Sequence, residues 1–216
     1  MANRMGFEIR GLAIAALVPL ALGACGSSSS TDRTVPPVEP PPTRASFDQV
    51  ANKAKSLFDQ QVDLDYTPAA NVPVSGSATY SGAAAYKADS SIPPDLDYPD
   101  YENAILTNPE FVSEVKLTAN FGSSSINGVF SNFHSAAAGP LDGGLRITNG
   151  TINGNGSFSG DVSGNVGVPG ALRPAIGTTS GDFVGDGAEY VLGYIGVDSL
   201  AIESGERVYG VYTGIK

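Results

Sequence analysis

From about residue 112 the chain alternates between apolar and polar positions. In VKLTANF, Val115, Leu117, Ala119 and Phe121 occupy every second position, with Lys116, Thr118 and Asn120 between them; this is the period of a strand with one buried face. The same period returns at Ile126, Gly128 and Phe130, at Leu145 and Ile147, at Phe158 and Val162, and at Val208 and Tyr212. Eight strands are expected, near 73–82, 112–121, 124–133, 144–152, 156–164, 180–186, 188–197 and 206–215. Asn153-Gly154 and Asn155-Gly156 separate the fourth from the fifth, and Asp186-Gly187 separates the sixth from the seventh. Such dipeptides favour the tight turns of antiparallel hairpins.

Short connections between antiparallel strands predict an all-β fold, an eight-stranded up-and-down barrel that closes on itself and leaves no edge exposed. Gly76, Gly82, Gly160, Gly185, Gly193 and Gly210 fall within the strand candidates, where a small barrel bends or brings backbones close together. Phe121, Phe130, Phe158 and Phe183 occupy inward positions, so side chains are expected to fill the interior.

A helical period precedes the strands, and one amphipathic helix is expected within 46–66. Ser46-Phe47-Asp48-Gln49 has the form of a capping box, and Phe47, Val50, Ala51, Ala54, Leu57 and Phe58 then share one face. That face is expected to pack on the strand domain, 67–216.

The N-terminal part has neither period. Arg4 and Arg10 lead into the apolar run Leu12 to Leu22, which is too short for a spanning helix and ends in small residues; residues 1–24 therefore read as an export signal. The following Leu22-Gly23-Ala24-Cys25 resembles the bacterial lipobox, which implies acylation of Cys25 and anchorage of the mature chain to a membrane. Gly26 after the cysteine implies, by the same resemblance, the outer membrane; whether the domain faces the surface or the periplasm is left open. Acyl chains contribute about 0.8 kcal/mol per buried methylene, and two hold a protein durably on a bilayer. Residues 25–45, rich in serine and then proline, have too little apolar surface to fold and form an extended linker.

Composition narrows the partners. The chain of 216 residues has a formal net charge of -10 and a pI near 4.4, the wrong sign for binding nucleic-acid phosphates. Its one cysteine, Cys25, leaves no disulfide framework, so packing and backbone pairing must hold the domain.

The order of motifs SGSATYSGAAAY, VKLTANFGSSSINGVFSNF, LRITNGTINGNGSFSGDVSG, GDFVGDGAEYVLGYIGV and RVYGVYTGIK resembles the β-barrel domain of the transferrin-binding protein B family. Related surface lipoproteins such as factor H-binding protein share that barrel. The most specific part is Phe183, Gly185, Glu189, Gly193 and Tyr194, followed by Tyr209-Gly210-Val211-Tyr212. The resemblance implies a tethered outer-membrane lipoprotein whose barrel is a platform for loops. The family's receptors have two lobes, each with a handle and a barrel, and this chain has room for one barrel and one helix, so transferrin binding is not carried over.

Two loops are candidate sites. The first, 87–111, gathers Asp95, Asp97, Tyr98, Asp100 and Tyr101, an acidic and aromatic surface suited to a basic patch on a protein partner, and its length exceeds that of a plain connection. The second, 167–180, presents Arg173 between prolines and suits an anion or carboxylate. No Ser-His-acid set, paired-acid motif or phosphate loop is present, and the single histidine, His134, stands alone, so no enzymatic activity, cofactor or metal is expected. The expected function is a binding module that engages a host protein or a cognate outer-membrane transporter. The alternative is a carrier with a small molecule, metal or haem in or at the mouth of the barrel.

Overall fold

A computed structural model describes residues 44–92, 100–198 and 206–216. They belong to a unit spanning Pro42–Lys216; a second unit, Met1–Pro41, lies outside the described residues, as does Cys25.

Helix α1 (Phe47–Gln61) starts at the expected capping box: Ser46 Oγ accepts from Gln49 N at 3.4 Å, and Gln49 Oε1 accepts from Ser46 N at 2.8 Å. It buries Val50, Ala54, Leu57, Phe58 and Gln61, a stripe repeating every third or fourth residue. Strands β1 (Ser77–Ala88), β2 (Phe111–Asn120), β3 (Ser125–Ser135), β4 (Gly139–Pro140), β5 (Asp142–Ile152), β6 (Ser157–Val168), β7 (Ala171–Val184), β8 (Tyr190–Asp198) and β9 (Arg207–Ile215) follow, with helix α2 (Asp100–Thr107) between β1 and β2. Every neighbouring pair is antiparallel, and β1 pairs with both β2 and β9. The ring runs β1-β2-β3-β5-β6-β7-β8-β9 and closes, with β4 a two-residue spur on β3. The expected eight-stranded up-and-down barrel is borne out.

The registers place the alternating apolar residues in rows across the interior: Val115 lies opposite Phe130, and Phe130 opposite Leu145. Phe183 sits at the hub, with ring centroids 5.4, 5.5 and 5.8 Å from Phe121, Phe158 and Tyr80. Each such fully buried side chain contributes roughly 1.5–3 kcal/mol. The buried tyrosines keep their hydroxyls bonded: Tyr80 Oη donates to Ala188 O at 2.8 Å, and Tyr86 Oη lies 2.8 Å from Ser113 Oγ. The interior is filled by side chains.

A second apolar layer lies outside the barrel. α1 packs on β1, β2, β8 and β9, and α2 packs on β1, β9 and α1. Ala83 and Ala85 pack beneath α1 with Val50, Ala54 and Phe58, whereas Ala84 belongs to the interior cluster.

Several boundaries differ from expectation. The first strand begins at Ser77 rather than 73 and continues to Ala88, because burial on both faces removes the alternation from its Ala-rich half. The 87–111 segment is therefore not one loop: it ends β1 and contains α2. The 167–180 segment is not a loop either. It is the β6–β7 hairpin, with Val168 opposite Ala171, Gly170 at positive φ between them, and Arg173 opposite Val166. Pro174 lies two residues before Ile176, where the described β7–β8 pairing begins. Asp186-Gly187 is not a two-residue turn, since residues 185–189 connect β7 to β8. Gly185 takes φ 87° there and donates its N–H to Asp65 O at 3.0 Å. Gly76 and Gly185 thus lie just outside strands rather than within them.

Candidate binding site

The edge of the helical layer meets the bare wall of the barrel at β8. There α2 sets Tyr101 edge-on against Tyr209 of β9, with centroids 6.2 Å apart and rings at 72°. Arg207, the first residue of β9, places its guanidinium 5.8 Å from the centre of the Tyr209 ring and pairs with Asp198 of β8 at 3.2 Å. Tyr101, Arg207 and Tyr209 line a pocket of about 220 Å³ together with Tyr194, Thr178 and Ser180. Gly196 leaves its floor flat: a Cβ there would meet Tyr209 at 3.4 Å and Arg207 Nε at 3.6 Å, ordinary contact distances, so a side chain would fit but would fill the space.

The hydroxyls of the wall are ordered from behind. Thr179 Oγ1 donates to Tyr194 O at 2.7 Å, so Tyr212 Oη, 2.8 Å away, must donate to Thr179. Burial raises the Tyr101 phenol to about 12, helped by Tyr209, Asp89 and Glu102, and it therefore acts as a neutral donor. Beneath the tyrosines lies Glu102, fully buried, with neither carboxylate oxygen in a well-formed hydrogen bond. Burial raises its carboxyl; its own N–H and the Tyr194 hydroxyl pull it only partly back.

Of the residues singled out in the sequence, Tyr101 lines this pocket and Asp100 opens α2 beside it, exposed. Asp95, Asp97 and Tyr98 lie outside the described residues. Arg173 is exposed near the tip of the β6–β7 hairpin and does not line the pocket. Tyr194, Tyr209 and Arg207 were missed, although a signal existed for the two tyrosines. On β8 and β9, Tyr194 and Tyr209 fall at the positions between inward Ile195, Val197 and Val208, and aromatic residues on the outward face of a strand mark a wall that something covers. Among the described residues no group of three or more His, Cys, Asp or Glu is arranged to hold a metal.

No protein-family model matches the chain, and no curated protein matches it. Solved structures do. A variant of the vaccine antigen Transferrin Binding Protein B from Haemophilus parasuis Hp5 matches at 16% identity and a TM-score of 0.42, covering 70% of this chain and 28% of that one. The isotype 1 protein from serogroup B Neisseria meningitidis matches at 15% identity and a TM-score of 0.40, over 69% and 27%. The matches fall in the family that the motifs resemble. The chain spans less than a third of the length of these structures.

Proposed function

We propose that the chain is a lipid-anchored binding module of the outer membrane that grips a protein partner on the outer wall of its barrel. The observation that carries this reading is the Tyr101–Tyr209–Arg207 pocket. Tyrosine and arginine are the residues enriched at the energetic centres of protein interfaces; here Tyr101 and Tyr209 are half-buried and Arg207 is exposed, and a ring contact and an ion pair restrain them before any partner arrives, so less ordering entropy is lost on binding. The packed interior does not favour the carrier reading. Acylation of Cys25 supplies the anchor, and residues 25–45 give the module reach.

A photo-crosslinking residue placed at Ser180, on the pocket wall, tests the site in cells of the native host. A partner recovered there should bind the purified Tyr101→Ala and Arg207→Ala variants at least about tenfold more weakly, the loss expected at an interface centre. Both variants should keep the parent's melting temperature to within a few degrees. Unchanged affinity in both would remove the pocket from the interface. For the anchor, Cys25→Ala should abolish palmitate labelling and release the protein from the membrane fraction.

A further inference from the structure

The C-terminal end of α1 carries a second, unrelated feature. Gln61, the last helical residue, is 1% exposed, and neither its amide oxygen nor its amide nitrogen is hydrogen-bonded. A buried amide without partners costs about 1–3 kcal/mol, so something must complete it or the fold carries that cost. Gln61 lines a cleft of about 150 Å³ together with Val62, Leu64, Tyr66 and Val184.

The rim of that cleft is unusual for a surface. Val62, Leu64 and Tyr66 are 44%, 40% and 57% exposed, and Asp63 and Asp65 alternate with them. Tyr66 also forms an isolated antiparallel bridge with Val184 at the end of β7. That bridge is made by its neighbours: Thr67 N donates to Phe183 O at 2.9 Å, and Gly185 N donates to Asp65 O at 3.0 Å. Because backbone groups alternate sides along an extended segment, the N–H and C=O of Tyr66 point away from β7. Among the described residues neither is hydrogen-bonded. An open edge of this kind pairs readily with an added strand.

We propose that this cleft docks an extended, basic, amphipathic peptide segment of a partner protein, in which apolar side chains alternate with lysine or arginine. One peptide unit pairs with the free edge of Tyr66, a second completes the Gln61 amide, an apolar side chain enters the cleft, and the flanking cations meet Asp63 and Asp65. The choice of a basic segment follows from charge: this rim presents two carboxylates that form no ion pair among the described residues, on a chain of net charge -10. The site is independent of the tyrosine pocket, which lies toward the other end of β8.

The test uses the folded chain with a synthetic peptide of alternating valine and lysine, and a control peptide with glutamate in place of lysine. Fluorescence anisotropy should show binding of the lysine peptide only, and amide NMR shifts should centre on Tyr66 N–H and the Gln61 side chain. Gln61→Leu, which keeps the volume and removes the unpaired amide, and the double variant Asp63→Asn/Asp65→Asn should each weaken binding about tenfold. Tyr101→Ala should leave it unchanged, so this site and the tyrosine pocket fail separately. Absence of binding, equal affinity for the Gln61→Leu variant, or shifts spread over other acidic surfaces would each overturn the proposal.

Discussion

Gly193 lies directly under the ring of Tyr212: a Cβ built on it would fall 2.2 Å from Cζ and 2.4 Å from the hydroxyl. The glycine is therefore a seat for a fully buried tyrosine whose hydroxyl is committed to Thr179. Gly193→Ala must push that ring off its bond or bend the wall, an overpacking cost of roughly 1–3 kcal/mol. Chemical denaturation should show a lower midpoint with an unchanged slope. Gly196→Ala, where the same atom meets ordinary contact distances, should stay close to the parent.

Glu102 makes stability depend on pH in the direction opposite to most carboxylates. Burial raises its folded value above the ordinary one of about 4.3, so the folded state keeps a proton that the unfolded chain has lost. Stability is then greatest below about 4.3 and falls as pH rises toward the folded value. Asp182, also raised by burial, adds to that slope, whereas Glu189, lowered by hydrogen bonds from the Gly187 and Glu189 N–H groups, contributes stability that is lost as pH falls. Glu102→Gln keeps the shape without the charge. Its melting temperature should exceed the parent's at pH 7 and converge with it near pH 4; a constant difference across that range would exclude the ionisation.

The barrel was legible because its interior obeys a simple rule. Val115, Phe130, Leu145 and Phe158 each stand at the inward position that period two assigns them, and local alternation needs no knowledge of the partner strand. The second half of β1 was not legible, because Ala83, Ala84 and Ala85 are buried alternately by α1 and by the interior, and a strand covered on both faces shows no alternation. α2 was hidden for a related reason: its eight residues are too few for a helical period to stand out beside the prolines and aspartates before it. The binding pocket joins Tyr194 and Arg207, from the paired strands β8 and β9, to Tyr101 of α2, which the β1–β9 pairing that closes the barrel sets beside them. Tyr101 was found because it sat in an acidic, aromatic run, and Arg207 was missed because nothing beside it in sequence distinguishes it.

Phe183 tests how far the interior acts as one packed unit. Its ring packs against those of Phe121, Phe158 and Tyr80, contributed by three different parts of the ring of strands. Phe183→Ala leaves a cavity that the three converging rings cannot collapse into and should cost about 3–5 kcal/mol. Phe183→Leu, which restores most of the volume, should recover more than half of that loss. Urea midpoints of the two variants decide it. Equal loss in both would mean that ring contacts rather than volume hold the hub.

Arg44 fixes the chain where it enters the folded unit. Its Nη2 donates to Phe133 O at 2.8 Å and to Leu141 O at 2.6 Å, and its Nε donates to Asn132 Oδ1. Asn132 in turn lies 3.3 Å from His134 Nε2. Burial first, and the Arg44 charge second, push the His134 imidazole below its ordinary value. Removing the cation therefore has a local readout, since the chain holds a single histidine. In Arg44→Ala, NMR titration of that ring should move upward while staying below a free histidine's value, because burial persists. The variant should also lose roughly 1.5–3 kcal/mol, the range for hydrogen bonds to a charged donor, and the Leu141 region should exchange its amides faster. Arg44→Lys keeps the charge but not the forked donor geometry. It should therefore hold the His134 titration near the parent's while losing most of the stability, which separates the electrostatic effect from the clamp.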